Sequence, residues 1–190
     1  MARGSASWVS APMILSAALA AAGNWFMSGV AFAGFVFMIF FHRDPDRFPR
    51  GEGMLSPADG KVIHAASDRI TVFMSPSNVH VNRAPLGGFV RNIEYLKGTH
   101  LPAFMNRACQ NQQNRMHLDT DDGQMELRQI TGTLVRKIVC YVNPGDHVSR
   151  GERIGMIRFG SRVEVSIPEG YRLRVFEGDK VRAGETVIAV

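Results

Sequence analysis

The residues best suited to chemistry in this 190-residue chain lie near its C-terminus, in Met156-Ile157-Arg158-Phe159-Gly160-Ser161-Arg162-Val163-Glu164-Val165. A glycine can take strained backbone angles, and without a Cβ its carbonyl can be approached closely. A serine hydroxyl placed just after it can attack that carbonyl in an N→O acyl shift. The ester so formed can eliminate, turning Ser161 into an N-terminal pyruvoyl group. Gly-Ser is also one of the commonest turn dipeptides, so the pair means little outside its context. Two other segments carry reactive types: Ser56-Pro57-Ala58-Asp59-Gly60 and Asn78-Val79-His80-Val81-Asn82-Arg83. An Asp, a His and a Ser in separate loops are the parts of a charge relay, whose members need only meet in space. Asp59-Gly60 equally makes an ordinary tight turn, and a histidine between two valines is commonly a packing residue.

These residues must be held by strands. After Ser161, Val163, Val165 and Ile167 alternate with Arg162, Glu164 and Ser166, the period-2 pattern of a half-buried strand. From Met54 onward, short apolar runs are punctuated by Gly, Pro, Asn and Asp, which predicts strands at 61–64, 70–74, 88–96, 125–130 and 133–141. Residues 101–116 are polar, and their Gln110, Asn111, Gln112, Gln113 and Asn114 read as the solvated surface of a short helix or ordered loop. Gly145-Asp146-His147-Val148-Ser149-Arg150-Gly151-Glu152 is echoed by Gly178-Asp179-Lys180-Val181-Arg182-Ala183-Gly184-Glu185. Such turns resemble those of biotinyl/lipoyl-type barrel-sandwich hybrids. The expected fold is therefore mainly β, a compact sandwich or barrel with barrel-sandwich-hybrid-like repeats over residues 54–190.

Ahead of it, residues 1–42 form an apolar helical membrane-attachment segment, uncharged from Gly4 to Phe41 and divided near Gly23-Asn24. Spanning takes about 20 apolar residues per helix, so a single span and a shallow helical hairpin both stay open. Residues 43–53, with Pro45 and Pro49, read as a linker. Arg43, Arg47 and Arg50 outnumber Arg3, which puts the following domain on the cytoplasmic side of a cell membrane. The net charge of +5, from 22 basic and 17 acidic residues, suits an anionic membrane surface. No basic run or aromatic-interleaved patch speaks for nucleic acid. Cys109 and Cys140 have no metal-type spacing and read as two reduced thiols.

Taken together, Arg43-Asp44-Pro45, Ser56-Pro57-Ala58-Asp59-Gly60, Phe73-Met74-Ser75-Pro76 with Asn78-Val79-His80-Val81-Asn82-Arg83, and Ile157-Arg158-Phe159-Gly160-Ser161 resemble the short bacterial and archaeal form of phosphatidylserine decarboxylase. The resemblance covers nearly the whole chain. It implies a proenzyme that cuts itself between Gly160 and Ser161 into a β chain, 1–160, and an α chain, 161–190, which together form the enzyme. It implies a covalent pyruvoyl cofactor derived from Ser161, and catalytic roles for Ser161, His80 and Asp59. The implied reaction converts phosphatidylserine in the membrane to phosphatidylethanolamine through a Schiff base with the pyruvoyl group; a homo-oligomer is compatible with it. The longer bacterial form has a second histidine three positions after the one matched by His80. Here Arg83 stands there, leaving open whether His80 serves both cleavage and decarboxylation. Asn114-Arg115 fall where the family usually carries glutamates. Archaetidylserine is an alternative substrate, and a pyruvoyl decarboxylase of a soluble amino acid an alternative enzyme. A tethered non-enzymatic carrier using Lys180 as a lipoyl-type lysine is a third reading, although Lys180 lies inside its Gly-Asp turn.

Overall fold

The computed structural model describes residues 1–133 and 137–190, which fall into two units, Met1–Pro45 and Asp46–Val190. The boundary lies inside the expected linker. In the first unit, helix α1 (Ala6–Ala21) stops at Gly23, whose φ of 78° suits the missing Cβ. Asn24 then caps helix α2 (Trp25–Phe41) by accepting from the Met27 N–H. Ser16 and Ser28 tie the helices together, each hydroxyl donating to the other residue's carbonyl at 3.0 and 2.9 Å. The apolar segment is thus two helices of 16 and 17 residues. Among the described residues no helix is long and apolar enough to cross a membrane, so of the two arrangements left open the single span is not supported. At about 1.5 Å per residue either helix falls short of a ~30 Å hydrocarbon core.

The second unit is mainly β, as its short punctuated runs predict. An eight-stranded antiparallel sheet contains β2 (Gly60–Ala66), β3 (Arg69–Met74), β5 (Gly88–Leu96), β6 (Gln113–Thr120), β7 (Gly123–Ile130), β9 (His147–Val148), β11 (Ser161–Ser166) and β12 (Lys180–Val181), in the order β12-β2-β3-β11-β7-β6-β5-β9. A second sheet runs β4 (Val81–Arg83), β10 (Arg153–Ile157), β8 (Ile138–Cys140). The third pairs β1 (Met54–Leu55) with β13 (Val187–Ala189). Val163 and Val165 of β11 join Ile70, Val72, Leu127, Ile154 and Ile157 in one buried core. Among the described residues of the strand expected at 133–141, β8 is what forms; residues 134–136 of that expectation lie outside the described residues.

The glutamine- and asparagine-rich stretch corrects the expectation of a solvated surface. A 3₁₀ turn, Asn106–Gln110, leads into β6, and Asn111, Gln113 and Asn114 are buried. Their amides are hydrogen-bonded inside the fold, which is what makes burial of so many polar groups tolerable.

The repeated turns are structurally equivalent. Asp146 accepts from the Asn143 N–H and Asp179 from the Phe176 N–H, both at 2.8 Å. The N–H of Gly145 donates to Val90 and that of Gly178 to Val62. Val148 then pairs with Gly88, and Val181 with Gly60. One motif closes both edges of the large sheet, because the same side-chain-to-backbone turn feeds the same short strand each time.

Candidate active site

Ser161 opens β11, with its Cα opposite Met74 at the end of β3. The loop that leaves Met74 is fastened by Asn78, whose Oδ1 accepts from both the N–H and the hydroxyl of Ser75, at 2.8 and 2.7 Å. It delivers His80 to the start of β4, where the His80 carbonyl accepts from the Ile157 N–H. Segment 74–81 therefore meets the chain on both sides of Gly160-Ser161: Met74 pairs with Ser161, and Val81 with Met156 of β10. This brings His80 and Ser161 into one buried neighbourhood, each fully excluded from solvent.

The bond between residues 160 and 161 sits in unusual backbone. Phe159 has φ of 55°, the one positive value at a non-glycine among the described residues, and Gly160 follows at 62°. A left-handed conformation costs an L-residue about 1–2 kcal/mol, and bulky residues avoid it. Ser161 presents a buried hydroxyl with no hydrogen-bond partner among the described residues. Buried hydroxyls are normally satisfied, so one left unpaired beside a strained peptide calls for a chemical reason. Beside it the buried Arg162 is held on two sides: Nη2 meets Glu164 Oε1 at 2.6 Å, and Nη1 donates to the Met105 carbonyl.

His80 Nδ1 lies 2.9 Å from the Asn78 carbonyl oxygen. A carbonyl only accepts, so Nδ1 carries the proton and Nε2 the lone pair, the tautomer of a general base. A charge relay would bring Asp59 to a ring nitrogen of His80. Its carboxylate is engaged elsewhere, Oδ2 by Arg47 at 2.9 Å and Oδ1 by the Ala183 N–H at 2.8 Å. The reason is local: residues 183–185, the end of the second repeat, pack onto the Asp59 loop, and Arg47 bridges Asp59 and Glu185. Arg83, at the position of the absent second histidine, donates to the Gly151 carbonyl and packs against Gly184, spanning both repeats.

Sequence reasoning missed a chain of buried amides beneath the site. Asn114 Nδ2 donates to Gln129 Oε1, Gln129 Nε2 to Asn82 Oδ1, and Asn82 Nδ2 reaches Met74 Sδ at 3.6 Å. Its only sequence signal was polar residues at inward positions of β4, β6 and β7. Gly132 was missed as well, though it touches the Gly160 carbonyl.

The family model described as phosphatidylserine decarboxylase matches residues 35–189. The chain belongs to the phosphatidylserine decarboxylase family. Membership makes it a decarboxylase, and the sequence resemblance to this family is borne out. A putative archaetidylserine decarboxylase proenzyme of Methanosarcina acetivorans is 44% identical, over 100% of this chain and 96% of its own length. A phosphatidylserine decarboxylase proenzyme of Streptomyces griseus is 42% identical over 99% and 92%. One from Chlorobium chlorochromatii is 42% identical over 84% and 82%.

Proposed function

We propose that this decarboxylase cuts itself between Gly160 and Ser161 and then removes carbon dioxide from the serine headgroup of phosphatidylserine, leaving phosphatidylethanolamine. The observation that carries the reading is the left-handed Phe159-Gly160 pair ending on an unpartnered, buried Ser161 hydroxyl. The names of the relatives, all proenzymes, support a cut made by the chain itself. Ser161 Oγ bonds to the Gly160 carbonyl carbon, the amide C–N bond breaks, and an ester replaces it. His80 Nε2 takes the hydroxyl proton and returns one to the departing nitrogen. Elimination then releases the Gly160 carboxylate, and water replaces the residue-161 nitrogen, which leaves as ammonia.

A serine hydroxyl buried and orphaned at this bond fits the origin of a pyruvoyl group. That group supplies the conjugated electron sink that decarboxylation beside an amine requires. During turnover His80 delivers the proton that replaces carbon dioxide, and the closed site keeps bulk water from competing. Asp59 acts as a positioning residue, holding Arg47 and the Ala183 turn. The archaeal relatives favour testing archaetidylserine beside phosphatidylserine, since the reacting headgroup is shared.

Membrane attachment through residues 1–42 belongs to the same proposal, with the catalytic unit on the cytoplasmic side. It is supported by exposed apolar side chains on the two helices, among them Ile14, Leu15, Trp25, Phe26 and Phe32. Two short helices with such surface suit shallow insertion at the headgroup level.

Denaturing intact-mass measurement tests the reading. Wild type is expected as two chains, the second beginning at residue 161 and lighter by one ammonia than a chain with N-terminal serine. Ser161→Ala is expected as one uncut, inactive chain. A free N-terminal serine in wild type means ordinary proteolysis and ends the proposal.

A further inference from the structure

The Gly160 carbonyl rests against a residue distant in sequence. A Cβ built on Gly132 would lie 1.8 Å from the Gly160 oxygen, 2.9 Å from its carbon and 3.5 Å from Ala103 Cβ. The glycine hydrogen in that direction therefore points at the oxygen of the bond to be cut. Gly132 is buried, and the two nearest atoms are backbone, so no rotamer change relieves a clash there. Gly160 itself offers a contrast, because a Cβ on it would meet nothing within 4 Å.

What presses Gly132 into place is also resolved. Asn111 is fully buried, and all four hydrogen-bonding positions of its amide are used. Oδ1 accepts from the Thr99 hydroxyl at 2.9 Å and the Leu101 N–H at 2.8 Å; Nδ2 donates to the Leu101 and Thr131 carbonyls, both at 2.7 Å. Thr131 is bonded a second and third time, its N–H and hydroxyl both donating to the Gln112 carbonyl. One side chain thus joins the strand end that precedes Gly132 to the loop that carries Ala103.

We propose that Gly132 is a catalytic contact of the self-cleavage step, fitted to the Gly160 carbonyl, and that Asn111 is the positioning residue that sets it there. The proposal rests on the cut falling at Gly160-Ser161. As Ser161 Oγ bonds to the Gly160 carbon, the C=O electron pair moves onto oxygen and the planar centre becomes tetrahedral. The oxygen must swing out of its plane before the C–N bond breaks and the nitrogen takes up a proton. A wall without a Cβ fixes the carbonyl for attack and leaves room for that swing, and its Cα–H offers the oxygen a weak polar contact. A methyl group would displace the carbonyl by an ångström or more.

The test follows cleavage in cell-free synthesis of the full chain, with and without hydroxylamine, which releases an ester but leaves an amide intact. Gly132→Ala is expected to slow the cut about 100-fold, the scale of a 1 Å misplacement at a reacting centre. Because the block precedes the ester, hydroxylamine should release no α chain. Melting of the Gly132→Ala, Ser161→Ala double variant beside Ser161→Ala reports folding separately. Should the alanine variant not fold, Asn111→Asp decides; it keeps the size and the acceptor but loses the donors to Leu101 and Thr131. It is expected to cut about tenfold more slowly, again without release by hydroxylamine. Cutting within threefold of wild type by a folded Gly132→Ala, or by Asn111→Asp where it decides, overturns the proposal, as does release by hydroxylamine. A wild-type chain cut elsewhere, or not at all, instead overturns the self-cleavage reading beneath it.

Discussion

The Asn78 backbone carbonyl holds the His80 ring at Nδ1, and the Asp59 carboxylate is taken by Arg47 and the Ala183 N–H. The residue scale therefore separates two side chains that a charge relay would couple. His80→Ala removes the proposed base and should slow release of the α chain about 10²–10⁴-fold. Asp59→Asn keeps an oxygen for the Ala183 N–H and loses the charge facing Arg47. It should cost about 1–3 kcal/mol of stability and slow release less than tenfold. Pulse-labelled cleavage gives the rates, and urea unfolding in a Ser161→Ala background gives the stabilities. Equal slowing by both substitutions would restore the relay and refute this division.

At the scale of elements, the two repeat turns close the large sheet, and the second is fastened by charge. Glu185 accepts from Arg47 at 2.6 Å and faces Arg50 at 3.0 Å and Arg182 at 3.6 Å. The Arg47 hydrogen bond, with the charges of Arg47, Arg50 and Arg182, outweighs desolvation and holds this carboxyl below its ordinary value of 4.5. A depressed folded-state value stabilises fully above the unfolded value, and the contribution fades as pH falls through the folded one. Glu185→Gln should therefore cost about 1–3 kcal/mol near neutrality. The gap to the parent should narrow below about pH 4.5, where the parent's own carboxyl takes up its proton. Urea unfolding near neutral and acid pH in the Ser161→Ala background checks this. A gap that stays constant down to acid would mean that packing, not charge, is what the turn loses.

On the scale of the whole molecule, the proposed function assigns cleavage and access to lipid to different units. Gly160, Ser161, His80, Gly132 and the core around them all lie within Asp46–Val190. Deleting residues 1–41 should leave self-cleavage within about threefold of the full chain while lowering turnover of phosphatidylserine in vesicles. A lipid substrate is concentrated in a plane, and an attached enzyme shares that plane. The same truncation should leave turnover of a short-chain, monomeric phosphatidylserine unchanged. Equal activity of both forms on vesicles would remove the attachment argument.

Local patterns were enough to determine several things from the sequence alone. Alternation in 162–167 marks β11, the spaced runs mark β2, β3, β5 and β7, and the doubled Gly-Asp motif marks the two closing turns. Each depends on residues near one another in the chain. The order of residue types around Gly160-Ser161, His80 and Asp59 likewise carried the family. What tertiary structure alone decided were contacts between distant segments. Asn111 and Gln113 read as surface because polar types usually are; burial became tolerable only when Leu101, Thr131 and Cys109 supplied partners. Asp59 matched a catalytic motif, but the packing of 183–185 gave its carboxylate to Arg47 and Ala183. Gly132 carried no signal in its own neighbourhood. Its meaning lies in the carbonyl of Gly160, which only the folded chain brings against it, since no local pattern specifies where two remote backbones will touch.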